Sequence, residues 1–186
     1  MKATGLLLAC CLAAIGSALL PKPLLADTPL PPPEKKEVWS SNKQFCAVMD
    51  PRKMTTTVYH LRGLGRREKD WAMYGWFRVA SLADDGEHLI VGHAGMNLLP
   101  LDIRQDDVML YFFKEGKLIN SVTLGELVER KSSLKRTASH YYWGRCVGLD
   151  RRGNYVVETV ENRTLVFDVT TGKPVAMASS TAADPK

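Results

Sequence analysis

Residues 148–175 read GLDRRGNYVVETVENRTLVFDVTTGKPV, and this run constrains the fold more than any other stretch. Tyr155-Val156-Val157 and Leu165-Val166-Phe167 are β-branched and aromatic, which suits a pleated, half-buried surface. Leu165, Phe167 and Val169 share one strand face at a period of two, and Val166, Asp168 and Thr170 share the other. Turn residues bound each run, at 151–154, 161–163 and 170–172. Gly and Asn tolerate the positive φ that tight turns often require. The run predicts strand, turn, strand, turn, strand, all antiparallel.

Similar signals recur upstream. Strands are expected over 45–49, 55–61, 72–82, 88–93, 108–113 and 118–122. Residues 63–70, opening GLGRRE, read as a charged loop; the third glycine of a phosphate-cradling fingerprint is missing. The stretch 92–102 is irregular and suggests a bulge or looped crossing. One short helix is predicted after Thr123, which with Glu126 forms a capping box. Leu127 and Leu134 would share its apolar face, with Glu129, Arg130, Lys131 and Lys135 on the polar one. The expected class is all-β, antiparallel, with propeller-like or sandwich sheets and one short helix.

The ends of the chain speak to compartment. Lys2 precedes an apolar stretch over 6–20, and Ala26 offers a small residue before a cut, as in a secretory signal peptide. The stretch is short for a membrane span, so no stable membrane insertion is expected after cleavage. A lipid anchor at Cys10 would need a polar tether where the chain is still apolar. The expected layout is signal peptide 1–26, Pro-rich linker 27–43, β-rich domain 44–178 and disordered tail 179–186. Localisation is then periplasmic or extracellular. The formal net charge is +5, and Lys2 and Lys22 would leave with the signal. That charge is too diffuse to argue for nucleic acid. Cys46 and Cys146 would remain as an even pair in an oxidising compartment, which predicts a disulfide between them. It would close a loop of about 100 residues, worth on the order of 4–5 kcal/mol in the chain-entropy account. The alternative is two separate buried thiols. No CxxC or HxxxH spacing points to a metal, and no cofactor motif is present.

Two segments echo each other. Residues 83–92 (ADDGEHLIVG) parallel 149–158 (LDRRGNYVVE), and 109–117 (MLYFFKEGK) parallels 165–173 (LVFDVTTGK). The second pattern, an apolar strand followed by x-x-G-K, resembles the inner hairpin of β-propeller blades of the WD40 or quinoprotein-like kind. Asp168 stands where such blades often carry Asp. The resemblance covers about a third of the chain left after signal removal. It implies blade-like sheets, but the spacing differs between copies: Gly86 to Gly153 against Gly116 to Gly172. A propeller needs about four blades, and this length holds about three. An incomplete propeller-like stack and a β-sandwich both remain open, and closure would require assembly between chains.

Candidate site residues fall in two segments. Ser139-His140-Tyr141-Tyr142-Trp143-Gly144-Arg145 mixes aromatic planes with hydrogen-bonding groups. His140, Tyr142 and Trp143 could carry a sugar or peptide, and Arg145 a carboxylate. The same aromatics could instead fill the core beside Cys146. Gly92-His93-Ala94-Gly95-Met96-Asn97 offers His93 and Asn97 on an irregular loop, where function tends to sit, or else a bulge whose glycines relieve strain. Ser139 and His140 with Asp102, Asp106 or Asp107 lack a nucleophile elbow, and adjacent residues on a strand point to opposite faces. The same aspartates do not have the spacing of a Ca²⁺ loop. Asn162-Arg163-Thr164 fits a glycosylation acceptor.

The expected function is therefore an exported, non-enzymatic β-rich binding module of the cell envelope, with a protein, peptide or glycan partner. The alternatives are a secreted hydrolase using His140 or His93 as general base, and a structural subunit that pairs its sheet edges as a homo-oligomer.

Overall fold

The computed structural model describes residues 30–175. The expected signal peptide (1–26), with Cys10 and Cys11, and the expected tail (179–186) lie outside the described residues.

Four strands open the fold as a meander: β1 (Lys36–Trp39), β2 (Phe45–Asp50), β3 (Thr55–Arg62) and β4 (Arg66–Tyr74). Next come β5 (Val79–Leu82), β6 (His88–Gly92), the two-residue β7 (Leu98–Leu99), β8 (Val108–Lys114) and β9 (Lys117–Thr123). The second sheet has the order β5-β6-β8-β9, so β7 sits in an insertion. A single helical turn, α1 (Leu124–Leu127), leads to β10 (Lys135–Arg136) and β11 (Tyr141–Tyr142). These pair with β7 in a small sheet ordered β10-β11-β7. The chain ends in β12 (Gly144–Leu149), β13 (Tyr155–Thr159) and β14 (Thr164–Phe167), a third meander. All pairings are antiparallel, and the protein is all-β with one short helix.

Side-chain alternation on β6 makes the second sheet the middle layer. Leu89 and Val91 face the first sheet and bury against Phe45, Met49, Val58 and Trp71. Ile90 faces the other way, into a core with Phe112, Val122, Tyr155, Val157 and Phe167. Phe112 meets Tyr155 edge-on, with centroids 6.3 Å apart, a favoured aromatic geometry. The first and third sheets share neither core cluster, so the stack is open rather than closed on itself among the described residues.

The sequence echo has a structural cause. Asp85 Oδ1 accepts the Glu87 N–H at 2.9 Å, and Asp150 Oδ1 accepts the Arg152 N–H at 2.8 Å. Asp50 Oδ1 does the same for Arg52 at 2.9 Å in the first sheet. One aspartate thus closes a hairpin in each of the three larger sheets by bonding the backbone two residues on.

Several expectations need correction. The charged stretch 63–70 is not a loop: after a turn at Gly63–Gly65, Arg66–Tyr74 forms β4. Its charges sit on an exposed sheet edge, where they oppose pairing with another chain. The strand expected over 72–82 breaks at Gly75, whose φ of 127° only glycine adopts readily. β1 lies inside the expected linker, so the packed domain begins at Lys36. The expected helix is one turn. Glu126 does accept the Thr123 N–H at 2.7 Å, but Val128 is already extended. Arg163 Nη2 bonds the Leu127 carbonyl at 2.7 Å, and Glu161 takes the Glu129 N–H at 3.1 Å. These side chains satisfy backbone groups that a longer helix would have paired. Glu129, Arg130, Lys131 and Lys135 therefore share no helix face. The last expected strand is reduced to a single bridge, Phe167 to Pro174.

The Cys46–Cys146 disulfide is not formed; both residues are free thiols. Phe45, Ala47 and Met49 point into the core, so Cys46 points to the outer face of the first sheet. It pairs there with Trp39 and Tyr59, the first and third sheets being separated by the second. Burial, reinforced by Glu37, pushes the Cys46 thiol up to about 11.

Candidate functional site

The break at Gly75 turns Trp76, Phe77 and Arg78 out of the first sheet and onto the edge of the second. There they meet the irregular segment after β6. Between them lies a cleft of about 750 Å³. Val91 and Tyr111, register partners on β6 and β8, lie in its lining. Trp76, Phe77 and Arg78 line it from the β4–β5 bend; His93, Ala94 and Gly95 line it from the loop; Asp107 lies in the lining just before β8. The aromatic wall is braced: the Phe77 and Tyr111 rings each lie 6.2 Å from Phe113. Leu30 reaches the cleft from the N-terminal segment, and Trp76 Nε1–H bonds the Glu34 carbonyl at 2.8 Å.

The loop shape follows from its glycines. A Cβ at Gly92 would come within 2.7 Å of Val79 Cγ1 and 3.1 Å of Cys146 Sγ. A Cβ at Gly95 would meet the Leu98 carbonyl at 2.4 Å. That tight turn lets the Gly95 N–H donate to His93 Nδ1 at 3.1 Å. Nδ1 is therefore unprotonated and the proton sits on Nε2. Burial holds the imidazole below its ordinary pKa, with Asp107 opposing. His93 is thus a neutral hydrogen-bond donor. As a general base it would need the opposite tautomer, and the lining residues carry no serine, threonine or cysteine nucleophile.

The other expected residues separate. Trp143 is 0% exposed and lies in the core. Its Nε1–H bonds the Met96 carbonyl at 2.8 Å, and its backbone N–H meets the Asn97 carbonyl at 3.3 Å. It braces the His93 loop from within the core. Asn97 and Arg145 line a second cavity of about 220 Å³ with Val79, Met96 and Cys146, behind Gly92. Arg145 is already engaged: its Nε and Nη2 both lie 2.7 Å from Glu158 Oε2. Tyr142 is half-buried on β11, paired with Lys135 and Leu98.

His140 lines neither cavity. It sits in a bend rather than a strand, so Ser139 Oγ lies 2.9 Å from His140 Nδ1. The expectation that the two side chains point apart fails for that reason. Asp106 and Asp107 are occupied by Arg104, at 2.9 Å from Asp106 and through the Arg104 N–H at 2.8 Å from Asp107. Asn162 sits in the β13–β14 turn with φ 59°.

Sequence reasoning missed Trp76, Phe77, Arg78 and Tyr111 as site residues. Trp76 and Phe77 read as strand aromatics, and only the glycine before them signals a break. Cys146 is largely buried, and burial raises its thiol pKa, with Tyr155 opposing. Compared with known proteins, the chain matches no family model, no curated protein and no solved structure.

Proposed function

We propose that this protein is a non-enzymatic binding module exported to the cell envelope, and that its ligand occupies the His93 cleft. The observation that carries the reading is the cleft itself: braced aromatic walls with Arg78, His93 and Asp107 converging on about 750 Å³. Ligand sites are concave and largely apolar, with a few placed polar groups. The His93 tautomer favours recognition over base catalysis. Export rests on the N-terminal charge, apolar stretch and Ala26.

The test is a thermal-shift screen of peptides, oligosaccharides and small organic acids, repeated on variants. Ligands that raise Tm on the wild type should lose their effect in Trp76→Ala and keep it in Arg145→Ala. The reverse pattern would move the site to the smaller cavity and overturn the assignment.

One observation supports a hydrolase as the second reading: the Ser139–His140 contact. A panel of esters and glycosides should show no turnover. Turnover abolished by His140→Ala, with the circular dichroism spectrum intact, would replace the binding reading.

A further inference from the structure

Positive charge gathers around Trp76: Arg78 lines the His93 cleft with it, and Lys36, outside the lining, lies against the same ring. Lys36 Nζ lies 5.4 Å and Arg78 Cζ 5.2 Å from the centroid of the same Trp76 ring. Lys36 Nζ also donates to the Arg78 carbonyl at 2.6 Å, so the two residues are tied together through one backbone group. Neither cation forms an ion pair with a carboxylate among the described residues. Nearby cations do: Arg67 is bonded to both carboxylate oxygens of Glu37, at 2.6 and 3.0 Å. Asp107, the acid in the lining, is held by the Arg104 N–H at 2.8 Å, with Arg104 Nε 3.8 Å away. His93 adds an Nε2–H donor. Burial and the Arg78 charge both lower the Lys36 pKa, as expected for cations crowded without a counter-charge.

We propose that the cleft binds a small amphiphilic anion, its acidic group on Arg78 and Lys36 and its apolar body against Trp76, Phe77 and Tyr111. This rests on the cleft being the ligand site and adds the chemistry of what it holds. The volume of about 750 Å³ suits a ligand of drug-like size rather than a folded partner. The charge preference follows from Arg78, which lines the cleft with no carboxylate partner, and from Lys36, which feels the Arg78 charge across Trp76; an anion close to both lowers that mutual repulsion. An aromatic or aliphatic acid has this chemistry, and so does a peptide ending in an aromatic residue with a free carboxylate.

Two matched pairs of probes test the proposal by fluorescence titration and calorimetry. The first is 1-anilinonaphthalene-8-sulfonate against its uncharged analogue N-phenyl-1-naphthylamine. The second is a hexapeptide ending in Phe with a free carboxylate against the same peptide amidated. The expected result is that at least one anionic member binds about tenfold tighter than its neutral counterpart. Arg78→Met and Lys36→Met should each reduce that preference, and added salt should weaken the anion selectively. A preference in the peptide pair alone assigns a chain end as the source, and a preference in the dye pair alone assigns a free acid.

Equal binding of charged and neutral members, lost in Trp76→Ala, would overturn the anion proposal while leaving the cleft as the site. A preference unchanged in both Met variants would also overturn it. Binding that survives Trp76→Ala undiminished, or no binding by any probe, would overturn the cleft reading as well.

Discussion

Trp143→Phe is the perturbation whose consequence the structure specifies best. The indole is 0% exposed, and its Nε1–H holds the Met96 carbonyl at 2.8 Å. Phenylalanine keeps a ring in the core but cannot donate. Losing the hydrogen bond costs about 1 kcal/mol, at the low end of the range because the Met96 carbonyl is only part-buried. The smaller ring leaves a cavity and loses transfer energy, for roughly 1–2 kcal/mol more. The total of about 2–3 kcal/mol converts to a fall in Tm of roughly 8–12 °C, taking about 4 °C per kcal/mol for a domain of this size. The assay is thermal denaturation followed by far-UV circular dichroism, with Arg151→Ala, at an exposed turn position, as a control outside the core. The control should shift stability by less than about 0.5 kcal/mol. A Trp143→Phe fall under about 3 °C would refute the claim that Trp143 is a buried brace for the His93 loop.

Other outcomes follow from the same geometry. Thiol titration of the denatured domain should find both Cys46 and Cys146 free, since they occupy separate sheets; none free would restore the disulfide. The buried Tyr155 hydroxyl makes no well-formed hydrogen bond, although Cys146 and Ser81 lie beside it, so Tyr155→Phe should leave Tm unchanged or raise it. A fall of more than about 3 °C would reveal a bond there. Acid should destabilise the fold through its turn aspartates. Burial raises Asp85 and Asp150, but bonds to His88 and Glu87 in one case, and to the Asn154 and Arg152 N–H groups in the other, outweigh it. Thr170 lowers Asp168 through its hydroxyl and N–H. All three sit below the ordinary 3.8, so their stabilisation is complete above that pH and is lost as pH falls through the depressed values. Urea titrations below about pH 4 should show that loss, reduced in Asp150→Asn; a pH-independent midpoint would contradict it.

The hairpins were legible because they are local. Asp150, Gly153 and Asn154 declare a turn whatever surrounds them, and Leu165, Phe167 and Val169 mark a buried face by alternation alone. What misled was context. Residues 66–70 are charged, which argues for loop, yet an exposed edge strand tolerates charge and is protected by it. The helix after Thr123 is stopped by Arg163 and Glu161, which come from a turn more than thirty positions away. The cysteine pairing assumed that two thiols in one domain meet, and layer order decides otherwise. Trp143 reads equally as a recognition aromatic or as core filling beside Cys146, and it is a core strut. Trp76 looked like a strand residue and faces the cleft, because one glycine turns the chain at that point. The glycines of the His93 loop mark it as irregular; that Arg78 joins it from the β4–β5 bend is encoded in no local pattern.

The most direct test of the account is chemical-shift mapping on ¹⁵N-labelled protein titrated with 1-anilinonaphthalene-8-sulfonate. Shifts should concentrate at the amides of Arg78, Ala94, Gly95 and Tyr111 and at the Trp76 indole N–H. Shifts centred on Asn97 and Arg145, or scattered over the outer faces of the sheets with the Trp76 indole unmoved, would contradict it.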